Sequence, residues 1–403
     1  MIIWLALVLP LLSAALLYWK FHHRIEWWEA GLQLGVPIIL IAATKACVET
    51  SQTSDTEFWG GHITHSAYYE AWNEKVSCRH PIPCSHPKYT TDEKGRRVRD
   101  GNQHWNDGHY HAFDVDDHDP YWEIYSSLGG DYTISQAEFE SYAVRWKNRA
   151  FEELNRTFHT KDGNMYKAVW DQKPETIQAV TASHTYENRI QASKSVFNFQ
   201  IVDPKDFGLF EYPAISGLYQ PAVLGDGIPV EACRKLDYLN ATLGAPKQVR
   251  IYVLLFRGKP MQAAMDQESY WKGGNKNEFV TAIGLGKEND VQWCHVFSWT
   301  EVDILKVEAR NFIMGQKTLD LGAYAEWLGP AIREKWVRKP FKDFSYLTVD
   351  PPMSAVIWTF IVTFLVSAGL SAWVILNELH LGGEGHPGFG RYAKSVLKVE
   401  EKR

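Results

Sequence analysis

The sequence predicts an α+β membrane protein: two N-terminal transmembrane helices, a mixed β-rich plus small α/β extracytoplasmic region, and one C-terminal transmembrane helix. Three observations carry that class. Three long runs are apolar and nearly free of charge. The 403 residues are 45% hydrophobic and 14% aromatic, which excludes a disordered or collagenous chain. Between the second and third runs, aromatic and β-branched stretches give way to alternating helix and strand patterns. The formal net charge of −6 argues against a dedicated nucleic-acid binder, which carries a basic domain.

Met1 to Trp19 holds no charged side chain and one aliphatic hydroxyl, Ser13. At 1.5 Å per residue it is just long enough to cross a hydrocarbon core of about 30 Å. A cleaved signal peptide is the competing reading, but no Lys or Arg precedes Lys20 and the run ends in bulky Tyr18-Trp19. The second run, Trp28 to Thr44, carries Glu29 and Gln33 in its first turns and Pro37 in its middle. The third, Met353 to Leu376, has no charge and starts after Pro351-Pro352. Lys20 and Arg24 in the 20–28 hairpin, and five Lys or Arg from Arg391 to Arg403, place hairpin and tail on the cytoplasmic side. The domains expected are a transmembrane hairpin (1–45), a β-rich extracytoplasmic part (46–228), a small α/β part (229–350), a transmembrane helix (351–378) and a basic tail (379–403).

Within 46–228, strands are expected at Ile63–Trp72, Asp114–Ile124, Met165–Trp170 and Ser195–Ile201. Ser135-Gln-Ala-Glu138 fits a capping box opening a helix whose apolar face runs from Phe139 to Leu154. Asp162-Gly163 reads as a turn. A soft boundary falls at 220–228, where Gln220-Pro221 and Gly225-Asp-Gly227 cluster. Beyond it, a helix from Pro229 stops at Gly244 and Pro246. Strands Val249–Phe256, Glu278–Leu285 and Val291–Trp299 follow, the last two joined as a hairpin through 286–290. Thr300-Glu-Val-Asp303 fits a second capping box, and a last helix over 318–338 is interrupted by Pro330.

Eight of the fifteen histidines lie in 46–118: His62, His65, His80, His86, His104, His109, His111 and His118. The sharpest constellation is Cys78-Arg-His80-Pro-Ile-Pro-Cys84-Ser-His86. It reads as a short Cys78–Cys84 disulfide, as suits an oxidising compartment, as a thiolate and imidazole set for zinc, or as free thiols. A second cluster joins His109, His111, Asp114, Asp116 and His118, donors that suit a divalent metal such as zinc or calcium. The plain reading is a polar strand edge. Lys272 and Lys276, around Gly273-Gly274, could cradle an anion or simply close a turn. Cys233 and Cys294 read as buried packing residues, and Cys47 lies at the membrane boundary. Asn155-Arg-Thr and Asn240-Ala-Thr match glycosylation sequons. Nucleophile motifs, Walker loops and dinucleotide fingerprints are absent.

Six segments carry a resemblance over the whole chain: Asp55-Thr-Glu-Phe-Trp-Gly-Gly61, Tyr68-Tyr-Glu-Ala-Trp-Asn-Glu74, Asp114-Val-Asp116, Tyr186-Glu-Asn-Arg189, Lys272-Gly-Gly-Asn-Lys-Asn-Glu-Phe-Val280 and Asp343-Phe-Ser-Tyr-Leu-Thr-Val-Asp-Pro351. By these the chain resembles membrane-anchored proteins of large tailed phages and bacteria, a family that lends no activity. The order of elements over 229–315 also resembles the TPM domain, a membrane-tethered extracytoplasmic module. The function expected is a non-catalytic, membrane-anchored scaffold or binding protein in a larger membrane or envelope assembly. Its partners would be the lipid bilayer and other membrane or envelope proteins, with no nucleic acid, in an oligomer or hetero-complex. The alternative is a metal-dependent envelope hydrolase using the His/Asp cluster of 104–118, with Asp116 or His118 orienting a metal-bound water. A transporter is disfavoured, because the interiors of the spans carry no charge.

Overall fold

The computed structural model describes residues 2–21, 27–78, 82–83, 89–99, 105–106, 109–143, 149–154, 159–161, 163–170, 172–193, 199–227 and 230–379. The chain divides into two compact units. One, here the bundle unit, comprises Met1–Glu57, Thr185–Ile201 and Pro340–Arg403. The other, the sheet unit, comprises Phe58–His184 and Val202–Lys339. Residues 202–228 thus group with both 58–184 and 229–339, and no break between units falls at the expected boundary.

The helices in chain order are α1 Val8–Phe21, α2 Trp27–Thr53, α3 Gln136–Ala143, α4 Arg189–Ala192, α5 Val230–Lys247, α6 Gln262–Tyr270, α7 Asp303–Met314, α8 Leu321–Lys335 and α9 Met353–Leu379. The strands of the first half are β1 Ser54–Tyr69, β2 Trp72–Cys78, β3 Ile82–Pro83, β4 Tyr89–Thr91, β5 Arg97–Arg99, β6 Trp105–Asn106, β7 His109–His118, β8 Tyr121–Ser126 and β9 Asp131–Ile134. They continue with β10 Arg149–Glu152, β11 His159–Lys161, β12 Met165–Val169, β13 Ala179–Glu187, β14 Val223–Leu224, β15 Arg250–Arg257, β16 Glu278–Leu285 and β17 Val291–Ser298.

In the bundle unit, α1, α2 and α9 are each long and apolar enough to cross a membrane, α1 together with the 3-10 turn Ile2–Leu7. Leu16, Ile39 and Leu365 remain more than half exposed, as lipid-facing side chains should. Two contacts set the register. The rings of Trp28 and Trp373 meet edge-on with centroids 6.0 Å apart. Ile41 clusters with Ile3 and Ala6, against Phe360. The start of α2 and the end of α9 therefore share one end of the bundle, and residue 3 lies toward the other.

α2 outruns its apolar stretch by nine residues, to Thr53. Tertiary contacts hold that polar extension. Arg189 Nη2 pairs with Glu49 at 2.8 Å, its Nε with Glu187 at 2.7 Å, and its Nη1 donates to the Leu347 carbonyl at 3.1 Å. Beside it, Asn188 N–H donates to the Thr53 carbonyl, and the Asp55 carboxylate accepts from Asn188 Nδ2 at 2.7 Å and Tyr186 Oη at 3.0 Å. Segments 185–193 and 340–350 are thereby clamped to the end of α2.

The sheet unit holds two principal sheets. One has the order β10-β12-β1-β8-β9, with β13 also on β1. The expected Asp114–Ile124 strand is two strands, β7 and β8, parted at Asp119-Pro120, where proline cannot continue a ladder. The Ser135 capping box forms as drawn: Glu138 N–H donates to Ser135 Oγ at 3.2 Å and Ser135 N–H to Glu138 Oε2 at 3.1 Å. The helix it opens is shorter than expected, since Ala150 pairs with Lys167 inside β10–β12. The expected strand at Ser195–Ile201 lies partly outside the described residues, and 199–201 form none.

The second sheet runs β14-β15-β16-β17. β14, β15 and β16 are parallel, and β16–β17 is the expected antiparallel hairpin. Helices α5 and α6 make the two parallel crossovers, and α6 is a helix that the sequence pattern does not announce. Ile251, Val253 and Leu255 of β15 face α5, α7 and α8, while Tyr252, Leu254 and Phe256 face α6 and residues 207–212. A strand buried on both faces reads as an unbroken apolar run, and each such side chain contributes about 2 kcal/mol.

Three expected details differ. α5 runs through Gly244 and Pro246 to Lys247. Thr300 Oγ1 accepts from Val302 N–H and donates to the Val337 carbonyl, so it staples the strand end instead of capping α7. α8 runs unbroken through Pro330, capped by Asp320, which accepts from Ala323 N–H at 2.9 Å.

Candidate functional site

Two adjoining pockets of the sheet unit share Gln178, Ala179 and Tyr219, and so make one cleft. The first, about 510 Å³, has an apolar floor of Ile63, Ile124, Val180 and Leu218, with Tyr132, Thr133 and Ile134 of β9 along one wall. β9 ends its sheet, and among the described residues no strand pairs with its outer edge. The floor belongs to the core: Ile63, Ile124 and Val180 are at 2–3% exposure.

The second pocket, about 430 Å³, is polar, lined by Glu175, Thr176, Arg234 and Asp237. Asp237 on α5 accepts from Tyr219 Oη at 2.8 Å. Burial pushes its carboxyl up to about 6, against the weaker downward pulls of the Tyr219 hydrogen bond and the Arg250 guanidinium. Burial and the Asp237 charge raise the Tyr219 phenol, so it stays protonated. Behind them sits Arg250, 2% exposed, donating to the Gln220 carbonyl at 2.6 Å with its guanidinium 5.1 Å from the Tyr252 ring. Gln220 also accepts from Tyr252 Oη and donates to the Pro213 carbonyl. The cleft therefore offers an apolar trough, a free strand edge and, at one end, a carboxyl whose charge changes near pH 6. That set suits recognition of an extended chain carrying a donor group at one end.

The structure places the sequence-predicted site residues as follows. Cys84, His80, His86 and His104 lie outside the described residues, as do the side chains of Cys78, His109, His111 and Asp114, so the Cys78–Cys84 pair falls outside them too. Asp116 is exposed. His118 stacks flat on Trp72 with centroids 3.9 Å apart, its Nε2 3.7 Å from Glu74 Oε1. The strand register sets Glu74 opposite both Asp116 and His159, a juxtaposition that separation along the chain concealed. Among the described residues no group of three His, Cys, Asp or Glu side chains could hold a metal, and no disulfide forms.

Lys272 is exposed with φ +51°, and Lys276 is half-buried. In their loop, Asn275 N–H and Nδ2 donate to the chain's own Glu278 carboxylate at 2.9 and 2.8 Å, and Tyr212 Oη joins them at 2.9 Å. Cys294 is 1% exposed, Cys233 half-buried and Cys47 exposed. Asn240 of the second sequon is buried; its amide donates to the Ile251 carbonyl and accepts from Ile251 N–H. The residues that sequence reading missed are Gln178, Tyr219, Gln220, Asp237 and Arg250. Gln220-Pro221 gave a signal, but it read as a boundary. Comparison with known proteins finds no matching family model, no matching curated protein and no matching solved structure.

Proposed function

We propose that this is a membrane-anchored extracytoplasmic binding or scaffold protein, a subunit of a larger membrane or envelope assembly, and that its cleft receives an extended segment of a partner. The observation that carries this is the trough beside the edge of β9, which no strand pairs among the described residues. An added strand would satisfy its backbone groups on that edge, and alternate side chains would reach the Ile124 and Leu218 floor. Asp237 would accept a donor at the polar end. The three apolar helices support the anchor, and the shared end of α2 and α9 supports a hairpin and tail on one side, read as cytoplasmic from their basic residues. The resemblance to membrane-anchored phage and bacterial proteins agrees with the same reading.

The test is a photo-crosslinking residue at Thr133, used in the full chain in native membranes with adducts mapped by mass spectrometry. Adducts should concentrate on one segment of one membrane or envelope protein and disappear with Ile134→Glu. Adducts confined to lipid or to this chain, or indifferent to Ile134→Glu, overturn the proposal.

A further inference from the structure

The second sheet has a cavity of its own at the carboxyl ends of its parallel strands. About 490 Å³ in volume, it is lined by Leu255 and Arg257 at the end of β15, Leu285 at the end of β16 and Gly227 just after β14. Open α/β sheets bind ligands in the crevice outside these strand ends. The cavity floor is apolar: Ala232, Leu255, Leu285 and Leu321 are buried. Its rim is charged. Arg257 comes from the strand end, whereas Glu231, Lys235 and Asp320 come from α5 and the cap of α8.

The two sets of charges carry opposite sign. Arg257 Nε donates to the Asp226 carbonyl at 3.1 Å, and its Nη1 to Asn289 Oδ1 at 2.6 Å. These bonds hold the guanidinium plane, and Nη2 lies over Gly227, where a Cβ would stand 3.0 Å from it. A guanidinium carries five N–H donors. Two are used here, and no carboxylate pairs with Arg257 among the described residues. In the other set, Lys235 donates to Glu326 Oε1 at 2.6 Å. That hydrogen bond, with the charges of Glu326, Glu231 and Asp320, holds its ammonium above the ordinary lysine value against the pull of desolvation. Glu231 also lies 3.5 Å from Arg234. Three carboxylates thus stand against two cations, an excess of one negative charge. Contacts join the sets across the cavity. The Asn289 carbonyl accepts from Leu319 N–H at 3.0 Å, just before the α8 cap. A Cβ on Gly322, in the first turn of α8, would lie 3.5 Å from Lys235 Nζ.

We propose that this cavity binds one free α-amino acid with an apolar side chain. Arg257 would take the carboxylate through its remaining Nη1 and Nη2 donors, in the planar fork that carboxylates match. Glu231 and Asp320 would accept from the ammonium, and the side chain would rest on Leu255, Leu285 and Leu321. A lone anion would be repelled by Glu231 and Asp320, and a metal ion by Arg257 and Lys235. A molecule carrying both signs satisfies both sets. The cavity shares no lining residue with the cleft, and the proposal does not rest on that reading.

The experiment is isothermal titration calorimetry of the full chain in lipid nanodiscs, with L-leucine, L-valine, L-methionine and L-phenylalanine as separate probes. Comparators are inorganic phosphate and the amide and N-acetyl derivatives of whichever probe binds best. At least one amino acid should bind, at about one molecule per chain, since a cavity of this size holds a single small ligand. The amide lacks the carboxylate and the N-acetyl derivative lacks the ammonium. Each should bind at least about tenfold more weakly, the loss of one charge-assisted contact. Arg257→Gln should weaken the amino acid by the same factor and leave its amide unchanged, which a general disturbance of the fold would not do. Should Arg257→Gln fail to fold, Asn289→Gly is the milder change. Glycine accepts the φ of +61° at that position, and the substitution removes only the brace on the guanidinium. It should weaken the amino acid about threefold or more. No binding of any of the four probes overturns the proposal. So does phosphate binding as tightly as the amino acid, or an affinity that Asn289→Gly leaves unchanged.

Discussion

Replacing Gly244 with alanine sets two effects of opposite sign against each other. Gly244 lies inside α5, where alanine favours the helix by about 1 kcal/mol. The added Cβ, however, would lie 2.2 Å from the Gly60 carbonyl oxygen and 2.7 Å from its C and Cα. These are backbone atoms of β1, the central strand of its sheet, and they cannot rotate away. Ordinary contact begins near 3.4 Å, so α5 must retreat by about 1 Å. That retreat loosens Leu236, Leu239 and Leu243 in the core and stretches the two hydrogen bonds from Asn240 to Ile251. Overpacking of this kind costs about 1–3 kcal/mol and each weakened hydrogen bond about 1 kcal/mol. Packing wins over propensity, and a net loss of about 2–4 kcal/mol is expected. Urea unfolding of the full chain in mild detergent, followed by the fluorescence of buried Trp271 and Trp336, would read it as a lower midpoint. Gly60→Ala meets the Asn240 carbonyl at 2.3 Å from the other side, so the double variant should lose less than the sum. A Gly244→Ala protein as stable as the parent, or more so, would refute the close approach of β1 and α5.

Three further outcomes follow from the site and the core. Asp237 titrates near 6 when folded against an ordinary 3.8, so its contribution, about 3 kcal/mol, is present below pH 3.8 and lost as pH rises through about 6. Asp237→Asn should flatten that decline and unfold at higher urea than the parent at neutral pH; an unchanged pH profile would count against the buried carboxyl. Glu278→Gln should destabilise by about 1–3 kcal/mol, because its new NH₂ must face a donor from Asn275 or Tyr212; a neutral result would show that the loop is not organised by that carboxylate. Burial pushes the Cys294 thiol up to about 12, so maleimide should label Cys47 in the native protein and reach Cys294 only after unfolding; prompt native labelling of Cys294 would contradict its burial.

Much of the fold was legible because its causes are local. The runs at 1–19, 28–44 and 353–376 read as helices, since twenty apolar residues need no partner to declare themselves. The Ser135–Glu138 box, the 286–290 hairpin and the apolar strand β15 also read directly. α6 was missed because Gln262-Ala-Ala-Met-Asp-Gln-Glu-Ser-Tyr270 buries only Ala263, Ala264 and Gln267, too few to show a period. The length of α3 was misjudged because Ala150 and Leu154 continue a helical spacing while Ala150 actually pairs in a strand.

The sequence by itself determined that apolar helices stand at both ends of the chain and that a mixed α and β region lies between, because hydrophobic length and period are properties of neighbouring residues. Only the tertiary structure decided where chemistry collects. Residues 63, 124, 134, 178, 219 and 237, from stretches scattered along the chain, meet at the pockets of the sheet unit. Such meetings follow from which strand pairs with which and from the register of facing helices, and each of those is settled by the packing of the whole unit rather than by any stretch of its chain.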